Sequence, residues 1–84
     1  MEDKMNEINK LEQMAKEEIL KEYDCFMDME ELDEFLRIGH LTAAEALKNA
    51  VKYAGYMSPT AEQILVRANL IREQAMIEMV KECA

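Results

Sequence analysis

Gly39, Gly55 and Pro59 are the only glycines and the only proline in this chain, and they leave long stretches with no backbone punctuation. Turn-rich folds need more of both residues, so few and long elements are implied. Aromatics are 6% of the residues, and Val and Ile do not alternate with polar neighbours, which disfavours a sheet. The expectation is an all-α fold: a small bundle of four helices (long, short, short, long) with antiparallel or angled neighbours. Eighty-four residues are expected to form a single helical domain spanning 1–84.

The helix ends carry their own chemistry. The first segment steps Met5, Ile8, Leu11, Ala15, Ile19, a spacing that places one apolar stripe on a helix from about Glu2 to Glu22. Glu12–Lys16 and Glu17–Lys21 stand at i,i+4 in the favourable order on its other face. Its end falls between Glu22 and Met27. Asp28 followed by Glu31 reads as a capping box that opens the second helix. Met29, Leu32, Phe35, Leu36 and Ile38 form its expected buried side, and Gly39 is the expected left-handed residue that closes it. Thr42 and Glu45 repeat the capping pattern for a third helix, Ala43 to about Ala54. Its small-residue face carries Ala43, Leu47, Ala50, Val51 and Ala54, with Gly55 beyond it. Ser58–Pro59 supplies an N-cap and a first-turn proline for a last helix reaching about Glu82.

That last helix has surplus apolar surface. At 100° per residue, Ile64, Ala68, Ile71, Ala75 and Met79 make an ordinary core face, flanked by Leu65 and Met76. Val66, Leu70 and Ile77 make a second stripe roughly opposite, edged by Glu73. A helix apolar on two sides is either sandwiched between neighbours or meets a partner. Half of the residues are hydrophobic and eight are methionine, generous for a small globule and compatible with an adaptable contact surface. Val66, Leu70, Ile77 and Glu73 are therefore the candidate interface.

The formal charge of −8 is unevenly placed. Residues 1–40 hold 13 acids against 5 bases, while residues 41–84 hold 5 of each. Asp24, Asp28, Glu30, Glu31, Asp33 and Glu34 form an acidic run. Its plain reading is a solvated helix start favoured by the dipole. Its functional reading is a phosphate mimic that occupies a nucleic-acid-binding protein. A calcium loop fails on spacing. No basic stripe exists for phosphates or for an anionic membrane surface.

No reactive constellation stands out. Cys25, Cys83 and His40 lack metal-ligand spacing and give no support for a Cys–His nucleophile pair. There is no glycine-rich phosphate loop. No catalytic, metal or cofactor residue is assigned. Tyr53 and Tyr56 flank Gly55, and their rings are expected to cover the hairpin between the third and fourth helices. The charged first twenty residues do not read as a signal peptide, and no apolar run approaches a membrane span. The expected setting is cytoplasmic, with reduced thiols.

Residues 34–47, Glu-Phe-Leu-Arg-Ile-Gly-His-Leu-Thr-Ala-Ala-Glu-Ala-Leu, resemble the helix-turn-helix of small excisionase-like regulators, in which a Leu-x-Ile turn precedes a threonine that opens the recognition helix. The resemblance implies DNA binding. The would-be recognition helix departs from the pattern: Ala43, Ala44, Glu45, Lys48 and Asn49 include no arginine, and a strongly acidic helix precedes them. The expected function is a non-enzymatic helical protein-interaction module, self-associating through its last helix as a homodimer. An acidic nucleic-acid-mimic inhibitor is the first alternative and a helix-turn-helix-like DNA-binding regulator the second. The expected partner is a protein or a second copy of the chain. Nucleic acid is disfavoured, no membrane is expected, and no small-molecule ligand is identifiable.

Overall fold

The computed structural model describes the backbone of residues 2–23 and 26–83 and the side chains of residues 5–23 and 26–81. Four helices account for nearly all of it: α1 (Glu2–Glu18), α2 (Met29–Gly39), α3 (Ala43–Ala54) and α4 (Pro59–Cys83). The fold is an all-α bundle. α1 does not stop at Glu18 but widens into a π turn over Ile19–Tyr23. Asp24 and Cys25, where the sequence left the end of this helix open, lie outside the described residues.

The three expected N-caps form. Asp28 Oδ1 accepts from the Glu31 backbone N–H at 2.8 Å, and Thr42 Oγ1 accepts from that of Glu45 at 3.1 Å. Ser58 Oγ accepts from the Ala61 N–H at 3.1 Å. Each satisfies a donor that the first turn of a helix leaves without an intrahelical partner. Gly55 takes the left-handed conformation (φ 81°) and its N–H bonds to the Val51 carbonyl. The end of α2 differs from expectation. Gly39 is helical, and His40 is the left-handed residue (φ 54°). The His40 N–H reaches the Arg37 carbonyl at 3.3 Å, and the Leu41 N–H reaches Leu36 at 3.0 Å. This is a Schellman closure shifted one residue past the glycine. Leu41 thereby packs against the core.

Contacts between helices set their directions. Arg67 on α4 pairs with Glu7 on α1, and Ser58 at the start of α4 bonds Glu18 at the end of α1. α4 therefore runs antiparallel to α1. Glu12 meets the first residues of α3, and the π turn meets the far end of the α3–α4 hairpin, so α3 runs with α1. Lys16 Nζ and Asp33 Oδ1, 3.0 Å apart, tie α2 back onto α1. The principal dimensions are 46 × 25 × 21 Å.

The buried core is confined to one end of this assembly. It comprises Ala15 and Ile19 of α1 and its π turn, Leu32 and Leu36 of α2, Ala43, Ala46 and Leu47 of α3, and Ala61 and Ile64 of α4. Several expected core positions fall outside it. Phe35 and Ile38 are exposed because α2 presents only its Leu32–Leu36 edge to the core. Ala50 and Val51 are half-buried and Ala54 is exposed. Along α4 the core face fades: Ala68 and Ile71 are half-buried, and Ala75 and Met79 are exposed.

Candidate functional site

Two polar clusters and one apolar region could carry function. The first cluster joins α1 to the N-terminus of α3. Both Glu12 carboxylate oxygens accept from backbone N–H groups, Oε1 from Ala43 at 2.9 Å and Oε2 from Ala44 at 3.2 Å. Thr42 already caps the Glu45 N–H, so Glu12 satisfies two donors that the local cap cannot reach. A carboxylate here also sits at the positive end of the α3 dipole. Glu12 and Lys16 thus do not pair with each other. Lys16 goes to Asp33, and Glu17 accepts from Gln13 Nε2 at 3.2 Å.

The second cluster closes the far end of the bundle. The Glu18 carboxylate, only 6% exposed, accepts from the Ser58 hydroxyl at 2.7 Å. The Tyr23 hydroxyl accepts from the Ser58 N–H at 2.8 Å, and the Tyr56 hydroxyl donates to the Glu22 carbonyl at 2.9 Å. The two rings lie 5.2 Å apart, centre to centre, at 34°, an offset arrangement that suits aromatic quadrupoles. The π turn positions Tyr23 for this contact. Tyr56 therefore covers the hairpin with Tyr23 as its partner, while Tyr53 stands 96% exposed. Desolvation, followed by the charges of Glu22, Tyr23 and Glu18, raises the Tyr56 hydroxyl above its ordinary pKa. Every donor and acceptor of these clusters is a structural cap or tie, and no buried side-chain polar atom among the described residues lacks a partner.

The acidic run is put largely to structural use. Asp28 caps α2, Asp33 ties α2 to α1, and Glu34 pairs with Arg37 one turn on. Glu30 and Glu31 face water in the first turn of α2, and Asp24 lies outside the described residues. No group of three metal-ligating side chains gathers among the described residues. Cys25 and the Cys83 side chain are not among them. No helix of the described residues is long and apolar enough to cross a membrane. The N-terminus of α3, which a recognition helix would present to a DNA groove, is covered by the Glu12 carboxylate.

The apolar region lies on α4. Its core side faces α1 and α3, and its other side is exposed among the described residues. Val66, Leu70 and Ile77 are 54%, 46% and 55% exposed, and Glu73 is exposed beside them. The helix is thus not sandwiched. Sequence reasoning did not find a groove of about 310 Å³ at the junction of α1, α3 and α4, walled by Ile8, Leu11, Lys48, Leu65, Ile71 and Arg72. The signal was present, since the stripes of α1 and α4 both run on past the short third helix. Comparison of the chain with known protein families, curated proteins and solved structures finds no match.

Proposed function

We propose that the chain is a non-enzymatic helical interaction module that associates with a second copy of itself through α4. The observation that supports this reading is the apolar surface of α4 left uncovered by its own bundle. It includes the Val66–Leu70–Ile77 flank and the continuation of the core stripe to Met79. A small bundle seldom keeps so long an apolar strip in water without a partner. The carboxylates that a nucleic-acid mimic would display are partly engaged in caps and ties. The DNA-reading alternative meets a covered α3 N-terminus and an exposed surface without an arginine on that helix.

Sedimentation of the chain tests the reading. A homodimer is expected at concentrations of about tens of micromolar, the range in which modest apolar interfaces assemble. A monomer at that concentration overturns it. Leu70→Asp in the same experiment reads whether the flank itself carries the contact.

A further inference from the structure

The buried core ends at Ala15 on α1, at Ala43 on α3 and at Ile64 on α4. The apolar stripes do not end there. Along α1 the same face continues back through Leu11, half-buried, to Ile8, 37% exposed, and Met5, 60% exposed. Along α4 it continues through Ile71, half-buried, and Ala75 to Met79, 64% exposed. α2 ends and α3 begins at the level of Glu12, so beyond that level α1 and α4 form a short two-helix ribbon with one apolar face open; the Glu7–Arg67 pair sets the start of α1 about level with Glu73, and from there the apolar face of α4 runs on alone. The groove of about 310 Å³ marks the place where a third helix would lie.

Resting on the self-association proposed above, we infer that the open ends of two copies pair about a two-fold axis, so that α1 and α4 of each copy form a shared four-helix bundle. The occupant is a second copy for three reasons. A ribbon of two antiparallel helices with one apolar face is half of a four-helix bundle, so the surface is its own complement. Its charge permits the encounter. Residues 65–81 of α4 carry Arg67, Arg72 and Lys81 against Glu73 and Glu78, and residues 5–11 of α1 carry Lys10 against Glu7, in a chain whose formal charge is −8. Two acidic copies can therefore meet here away from most of their carboxylates, whereas a basic partner would be drawn to the acidic residues from Glu12 to Glu34. The stripe also permits close approach, because Ala68 and Ala75 place small side chains where α4 of one copy crosses α4 of the other. Antiparallel to its twin, the incoming α4 runs in the direction of α3 and fills the level above it.

Sedimentation equilibrium of the full chain and of the variants Ile8→Asp, Met79→Asp and Leu70→Asp tests the pairing, with helix content followed by circular dichroism. Ile8→Asp and Met79→Asp are each expected to raise the dimer Kd at least about tenfold, since each buries a carboxylate in the shared core. Met79 is exposed in the single copy, so its variant keeps the fold and decides the matter alone if Ile8→Asp unfolds. A dimer whose Kd either folded variant leaves unmoved overturns the inference. Where Leu70→Asp alone dissociates that dimer, self-association through the α4 flank still stands. A wild-type monomer at about tens of micromolar overturns both.

Discussion

Replacing Glu12 by alanine removes a tie that no local signal on α3 can replace. Its carboxylate accepts from the Ala43 and Ala44 N–H groups at 2.9 and 3.2 Å, and Thr42 is already committed to Glu45. A hydrogen bond to a charged group contributes about 1.5–3 kcal/mol where water is excluded. Glu12 is only half-buried, so water can recover part of the loss at both donors. The favourable position at the dipole adds about 0.3–1 kcal/mol. A net destabilisation of about 2 kcal/mol follows for Glu12→Ala. Glu12→Gln keeps one acceptor but loses the charge, and should cost about 1 kcal/mol on the same reasoning. Urea unfolding monitored by circular dichroism measures both, with an unchanged slope expected because the exposed surface does not change. For a chain of this size the alanine variant should melt about 8–16 °C lower. A loss below about 0.5 kcal/mol for Glu12→Ala would refute the reasoning, since that is the range of an ordinary surface substitution.

Ser58→Ala and Thr42→Ala form a matched pair of cap deletions. Thr42 loses its cap and a solvent-exposed hydroxyl bond to the Glu45 carboxylate at 3.1 Å, which water replaces, about 1 kcal/mol in all, whereas Ser58 leaves the buried Glu18 carboxylate without its hydroxyl donor, for a total of about 3 kcal/mol; equal losses in urea unfolding would rule out a stabilising role for the Glu18 contact. His40→Gly should stabilise by about 0.5–1 kcal/mol, because glycine adopts the left-handed conformation without the β-carbon penalty that histidine bears at φ 54°; a lower melting temperature would contradict that. Tyr56 titrates above its ordinary value in the folded chain through desolvation and neighbouring negative charge. The unfolded chain therefore releases this proton first, so stability is intact below about pH 9 and declines as pH rises through about 10 and on to the folded value. Tyr56→Phe should flatten that alkaline decline, as read from melting temperatures between neutral and alkaline pH.

Local chemistry was legible in the sequence, and long-range chemistry was not. Asp28, Thr42 and Ser58 announce helix starts because each N-cap bond closes within three residues. The left-handed residue after α2 is His40, one position past the glycine. Glycine at 39 is permitted that conformation but not compelled into it, and moving the closure to His40 brings Leu41 onto the core. Glu12 and Lys16 match the i,i+4 pattern of a surface ion pair, yet each finds a better partner on another helix. A buried helix end outcompetes a solvated lysine for a carboxylate. The stripes of α1 and α4 were legible as stripes, but periodicity carries no information on how far the shorter helices reach. Burial therefore ends at Ala15 and Ile64 while the apolar pattern continues. The Val66–Leu70–Ile77 flank was legible as surplus for the same reason that it is exposed: a helix cannot turn two opposite faces to one core.

Core and charge sit at the same end of this bundle, and that coincidence gives self-association a sign with respect to salt. The acidic residues Glu12, Glu17, Glu18, Asp28, Glu30, Glu31, Asp33 and Glu34 belong to the closed end with α2, while residues 5–11 and 65–81 of the open end are close to neutral. Two copies approaching through their open ends still feel the charge of −8 on each chain, at distances that fall within the roughly 30 Å screening length of 0.01 M salt and outside the roughly 8 Å of 0.15 M. Repulsion therefore opposes the dimer at low salt and is screened at physiological salt, so the dimer Kd should fall severalfold as salt rises across that range. Binding of carboxylates to a basic protein behaves oppositely, since the attraction itself is screened. Sedimentation equilibrium at the two ionic strengths measures the sign directly. A dimer that loosens as salt is added would mean that ion pairs, not the apolar faces of α1 and α4, hold the copies together.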